Sequence, residues 1–282
     1  NVTIDTRALS AAKKAGRKRI LVRSPLRCEA GHGICQSCIG SRASGASWDI
    51  GTNIGVIAGQ SIGEPSTQLS MNAFHEGGLA KGRGAKSQGT FERLGQTLRL
   101  PVDLPNRAPL ALSTGTVQRV EVAAQGGHNI YIGGKSHYIP AAQERWVKKG
   151  QKVRRGEPLS NGVVDPRGLL ALRGLQDVQD HLTGEIHGVL STAAPVRRRN
   201  VEVVVKAMTD ITRVEDPGNH PDWIPGDMRR YSAVRSWNSK SKGKPVEHTP
   251  VLKGVNVLPL SVQEDWVARL GYNNLGRTLV EA

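Results

Sequence analysis

"SIGEPSTQLSMNAFHEGG", residues 61–78, has the form of a helix start, a helical face and a stop. Ile54, Ile57, Ala58 and Ser61 share one face of a helix that Gly63 can end. Pro65 suits the first turn of a second helix, Ser66 to His75. On that helix Gln68, Met71, Asn72 and His75 fall at i, i+3, i+4 and i+7, so they lie on one side. Met71 offers a polarisable cap for a flat ring, and His75 can donate to a phosphate or give up a proton near neutral pH. Gln68 and Asn72 can hydrogen-bond a sugar or a phosphate. Leu69 and Phe74 lie off this side and can pack. The competing reading is ordinary packing, since Met and His often share a helix side without any ligand. Gly77 and Gly78 stop the helix and, with Gly63, supply candidate hinges.

Around this stretch the chain changes character several times. Ala8 to Lys14 reads as a short helix, and Ile20 to Val22 as a strand ending at Pro25. Residues 77–89 hold five glycines and three cations without apolar period, which predicts a mobile segment, and residues 90–98 read as a further short helix. Pro101, Pro105 and Pro109 mark a linker. From about residue 113 the period becomes two, in "GTVQRVEVA", "NIYIGG" and "WVKKGQKVRRGEPLSNG", as in a small β-barrel or sandwich. Residues 169–191 read as helical with a break at Gly184, and "NVEVVVKAM", 200–208, as a buried strand. Residues 216–250, with five prolines, read as an irregular excursion, and the chain closes on one or two helices. The expected fold class is mixed α+β, in segments 1–50, 51–98, 99–168, 169–215 and 216–282.

The formal net charge of +15 over 282 residues favours a polyanionic partner, against the blander reading of a solubilising excess. Candidate phosphate contacts are Lys13, Lys14, Arg17, Lys18 and Arg19 near the start, and Arg197, Arg198 and Arg199 later. The charges of 148–155 are explained by turn positions alone. Only 11 residues are Phe, Trp or Tyr, too few for a base-stacking platform. No apolar run approaches membrane-span length. The opening residue is Asn1, as expected of a fragment or a processed product.

Cys28, Cys35 and Cys38 form C-x6-C-x2-C, and they are the chain's only cysteines. Two intervening residues let Cys35 and Cys38 face one ion, so the cluster reads as a structural zinc site in a reducing compartment. Four ligands are needed. The fourth is either His32, inside the loop, or a group outside this chain; a metal-free set of buried thiols is the alternative.

"IGVIAGQSIGEPSTQLSMNAFHEGG", 54–78, resembles the trigger-loop region of the largest catalytic subunit, β′, of multisubunit RNA polymerases. "VRSPLRCEAGHGICQSCIG" resembles the β′ segment carrying three of four zinc cysteines. "SQGTFERLGQTLRLP" resembles the second trigger helix, and "STGTVQRVEV" through "GEPLSNG" a sandwich-barrel hybrid module. The helices after 169, the 200–208 run and "LKGVNVLPLSVQEDWVARLGYNNLGRTLVEA" resemble later clamp-side and C-terminal β′ segments.

The resemblance implies a trigger loop that folds over an incoming nucleoside triphosphate, with Met71 against the base, Gln68 near the sugar and His75 near the phosphates. Asn72 stands where the family has Arg, which removes a cation from the triphosphate contact. Ser66, Ser70 and Ala73 also depart from the pattern, as in a divergent polymerase, a phage-encoded one being a candidate. The magnesium-binding N-A-D-F-D-G-D motif of the family does not occur here. The chain is therefore expected to be inactive alone and to meet magnesium at a site held by another segment or chain. Implied partners are a β-like subunit, the N-terminal β′ part, α and a specificity factor, template DNA, RNA and nucleoside triphosphates, without membrane. The implied location is the cytoplasm, at the nucleoid, or host cytoplasm or virion for a phage. The rival function is a non-catalytic zinc-containing nucleic-acid-binding or regulatory protein with a degenerate trigger loop.

Overall fold

The computed structural model describes residues 4, 6–31, 33–77 and 84–258, and side chains for all of these but 72–91. In chain order the elements are α1 (Thr6–Lys14), a 3-10 turn (Pro25–Arg27), α2 (Gln36–Ile39), α3 (Ile54–Gly77), α4 (Gly84–Arg99), β1 (Gly115–Val122), β2 (His128–Ile132) and β3 (Lys135–Ile139). They continue with β4 (Lys152–Val153), α5 (Pro166–Arg173), α6 (Leu175–Leu190), α7 (Arg198–Thr209), β5 (Ile211–Asp216), β6 (Met228–Arg230), α8 (Tyr231–Lys240) and β7 (Glu247–Val251). The described residues divide into two units, those of 4–64 with 196–251, and those of 65–195 with 252–258.

In the first unit Ile39, Ala58 and Val203 form a small core that Ile34, Trp48, Ile54 and Val204 extend. The 200–208 run is not a strand. It lies within α7, where Val201, Val205 and Met208 are fully buried at i, i+4 and i+7. Four valines favour a strand by propensity, but burial along a helical stripe outweighs fractions of a kcal/mol per residue. Nor do Ile20–Val22 form a strand; they have no ladder partner among the described residues, and Leu21 is wholly exposed.

Residues 216–250 are not irregular. They supply β6, α8 and β7, and the antiparallel sheet has order β6-β5-β7. Val214, Val234 and Val246 fill its core, with Trp223 and Trp237 against them. Pro250 sits opposite Thr212 on the edge strand β7, a place where a missing N–H is tolerated.

In the second unit the period-two stretches become an antiparallel sheet of order β3-β2-β1-β4. Its register places Val117 opposite Ile132 and Val120 opposite Ile130, with a bulge between Val117 and Arg119. Val117, Ile130, Ile132, Ile139, Val147, Val153 and Leu159 form one core, so alternation translates into burial. Helices α5 and α6 meet at Gly174, whose φ of 85° suits glycine, and α6 continues through Gly184 without the expected break.

The helix of the opening stretch does not end at Gly63. α3 is continuous from Ile54 to Gly77, and Pro65 lies inside it rather than at a first turn. A proline ring in a helix interior costs about 3 kcal/mol. Ala58, Ile62, Pro65 and Leu69 are all buried and fall at i, i+4, i+7 and i+11, one stripe whose burial offsets that cost. Gly63 is thus an interior helical residue, Gly77 the last residue of α3, and Gly78 lies outside the described residues. α4 begins at Gly84, so half of the expected mobile segment is helical. The closing helices of the sequence reading fall on 261–282, outside the described residues.

Candidate functional site

The metal centre starts from local backbone. Ser24 caps the 3-10 turn by accepting the Leu26 N–H at 3.1 Å, and this turn delivers Cys28. Cys35 is the N-cap of α2, and Cys38 sits within that one-turn helix, which Gly40 ends with φ 73°. The three sulfurs lie within 4.8 Å of one another. Thiolates about 2.3 Å from a tetrahedral zinc are roughly 3.8 Å apart, so these are close to binding distance. The Cys35 backbone N–H donates to Cys28 Sγ at 3.3 Å, and Arg23 Nη1 approaches Cys38 Sγ at 3.8 Å. Burial works against the Cys35 thiolate, yet hydrogen bonds from Cys38, Cys28 and the Ser37 backbone together bring its pKa below the ordinary thiol value. Cys38 is pushed up to about 11, by burial first and by its bond with Cys35 second. Three thiols of this spacing fit a thiophilic divalent cation, which would hold all three as thiolates. His32, the candidate fourth ligand, lies outside the described residues.

The helical face comes next. On α3 Gln68 is exposed and Met71 is 56% exposed, while Leu69 between them is 7% exposed. Asn72 and His75 follow on the same helix, in a part whose side chains are not described. α4 resumes after 78–83, and its far end is held firmly. Arg167 donates to the carbonyls of Leu100 and Pro101 at 2.6 and 2.7 Å. Arg93 pairs with Glu185 at 2.7 Å, tying α4 to α6.

A family model described as RNA polymerase Rpb1, domain 5, matches residues 41–97, the stretch that holds α3 and most of α4. The DNA-directed RNA polymerase subunit β′ of Moorella thermoacetica is 32% identical over 296 residues, covering 100% of this chain and 24% of that subunit. The corresponding subunit of Pelotomaculum thermopropionicum is 32% identical over 278 residues, 95% of this chain and 23% of its own. That of Clostridioides difficile is 30% identical over 280 residues, again 95% and 23%. This chain is a β′-like RNA polymerase portion. It spans about a quarter of the length of the curated β′ relatives it matches.

Other predicted residues of the β′-like chain fare differently. Lys13, Lys14, Arg17, Lys18 and Arg19 are exposed, on and just after an α1 that buries nothing. Arg197 and Arg198 are exposed, and Arg198 forms an i,i+4 pair with Glu202 at 3.1 Å. Arg199 is half-buried and donates to the Ile39 carbonyl at 3.1 Å, so its charge is directed into the fold. No described helix is long and apolar enough to cross a membrane. The sequence reading missed Asn200, Glu202 and Lys206, which reach toward α3 and the cysteine loop. Their signal was present as helical spacing, but the valine run masked it.

Proposed function

We propose that this chain is the trigger-loop-bearing part of a β′-like subunit, assisting nucleotidyl transfer in a multisubunit DNA-directed RNA polymerase. One observation carries the reading: α3 buries one stripe and presents Gln68 and Met71, a side chain suited to a flat ring, on another face. Asn72 and His75 continue that face by spacing. Closure of α3 and α4 over a bound nucleoside triphosphate would set Met71 on the base, Gln68 at the sugar and His75 at the phosphates. Gly77 and Gly78 would serve as hinges.

Zinc on Cys28, Cys35 and Cys38, with a fourth ligand from His32 or another segment, stabilises the loop that leads into α3. Magnesium at the shared active site is bound by carboxylates elsewhere in the assembly and neutralises the triphosphate. Exposed cations at 13–19 and Arg197–Arg198 face nucleic-acid phosphates. Partners are a β-like subunit, the remaining β′ sequence, template DNA and RNA.

The test is affinity purification of the chain from its native source, with the co-purifying proteins sequenced and the complex assayed for templated RNA synthesis. A partner bearing the magnesium-binding aspartates, together with RNA product, is the expected result. A chain that binds metal and nucleic acid but never accompanies RNA synthesis would instead support the non-catalytic regulatory reading.

A further inference from the structure

Helix α7 carries four polar side chains that reach the metal loop or α3, one of them, Glu202, held from its other oxygen by Arg198 of the same helix at 3.1 Å. Glu202 Oε2 accepts the Ser24 hydroxyl at 2.8 Å, and that same hydroxyl oxygen caps the turn that delivers Cys28. Lys206 Nζ donates to the Cys28 carbonyl at 3.2 Å. Arg199 Nη1 donates to the Ile39 carbonyl at 3.1 Å, one residue past Cys38. It lies so close over Gly40 that a Cβ there would meet Nη1 at 3.2 Å. Asn200 Nδ2 donates to Ser61 Oγ on α3 at 2.8 Å. Arg199, Glu202 and Lys206 fall at i, i+3 and i+7, so one side of a single helix grips the cysteine loop at both of its ends. Beneath them Val203 packs in one core with Ile39 and with Ala58 of α3.

We infer that α7 is the clamp of the metal loop, and that it makes metal occupancy and the seating of the first half of α3 a single equilibrium. The inference rests on the metal reading of the three cysteines. Groups that orient the backbone around a metal ligand commonly change metal retention 10- to 100-fold. The loop's two ends must separate for the ion to leave, and both are tied to α7. When they separate, α7 loses Arg199, Glu202 and Lys206 contacts together, and Ile39 leaves the core it shares with Val203 and Ala58. The Asn200–Ser61 bond then carries the change to α3.

The experiment uses the full chain loaded with Zn²⁺, with zinc stoichiometry measured first. Release to excess chelator is then timed for the parent chain, Lys206→Met and Lys206→Arg. Release should be about tenfold faster in Lys206→Met and near the parent rate in Lys206→Arg, which keeps a donor. Hydrogen exchange of amides 57–63 supplies the second readout. Chelation should raise their exchange in the parent chain. In Asn200→Ala, which is expected to fold even if Lys206→Met does not, zinc release should stay near the parent rate while the dependence of 57–63 on zinc weakens. Unchanged release in Lys206→Met with full zinc would overturn the clamp and leave the metal reading standing. Exchange at 57–63 indifferent to zinc would overturn the coupling. A parent chain that takes up no zinc would sink the metal reading, and the clamp with it.

Discussion

His137 Nε2 accepts the Leu112 backbone N–H at 3.0 Å, while its Nδ1 lies 3.3 Å from the Ile130 carbonyl. A carbonyl can only accept, so Nδ1 carries the proton and the ring is neutral. Burial lowers the pKa of His137 below the usual histidine value, and the bond to Ile130 opposes this only in part. An unfolded histidine titrates near 6.5. Between that value and the lower folded one, the unfolded chain binds more protons, so stability rises with pH there. The contribution is present above about pH 6.5 and is lost as pH falls toward the folded pKa. Amide protection over β2 and β3, corrected for intrinsic exchange, should therefore drop between about pH 7.5 and about pH 5.5. Equal protection at the two would contradict a neutral, accepting His137.

Arg167 braces the end of α4. Leu100 has φ 49°, a left-handed turn residue just past the helix, and the Leu100 and Pro101 carbonyls face the Arg167 guanidinium. Hydrogen bonds to a charged donor contribute about 1.5–3 kcal/mol when buried, less here because Arg167 is half-buried. Arg167→Ala should cost about 2 kcal/mol and should raise exchange first in the last turn of α4. A loss spread evenly over the chain, or none, would argue against a local brace.

What was legible depended on whether local period and tertiary burial agreed. They agreed in the β module, where Val117, Ile130, Ile132 and Ile139 alternate along the strands and all point into one core. They agreed at Cys28, Cys35 and Cys38, whose spacing alone brings three sulfurs together. They conflicted at α7, where the β-branched run 203–205 suggested a buried strand and hid the helical spacing of Val201, Val205 and Met208. Pro65 misled for a similar reason: a residue that starts helices by propensity is held inside one by the buried stripe around it. In 216–250 the strands are short, and β5 pairs with segments far along the chain, so no local pattern announces them. On α3, Gln68 and Met71 are exposed, while Asn72 and His75 fall where side chains are not described.

The cysteine loop gives a test of metal dependence. Cys38 is 7% exposed within α2, and its thiol is disfavoured as an anion unless a cation is near. Cys38→Ser removes one soft ligand of three and should lose bound zinc, measured by atomic absorption of the purified chain. Structural zinc contributes directly to folding, so the variant should also melt at a lower temperature than the zinc-loaded parent. Cys28→Ser should behave alike. Full zinc content in Cys38→Ser would remove Cys38 from the ligand set.

The last expectation concerns the α3 face itself. Met71 is 56% exposed, so Met71→Ala removes little packing from the fold and should leave its melting temperature within a degree or two. In the assembled polymerase the same change removes the surface proposed to cap the base. His75→Ala removes the group proposed to lie at the phosphates. Each variant should slow single-nucleotide addition by tens-fold, about 2 kcal/mol or more in barrier. Rapid-quench addition at saturating nucleotide separates the two roles. Met71→Ala should act largely through apparent nucleotide affinity, because stacking is made on binding. His75→Ala should persist as a lowered maximal rate, because donation to the phosphates strengthens as charge develops in transfer. Parent-like addition rates in both variants, with intact assembly, would remove the catalytic role assigned to this helix. Asn72→Arg supplies the reverse test: restoring a guanidinium beside the triphosphate should tighten nucleotide binding if the face is the one that closes.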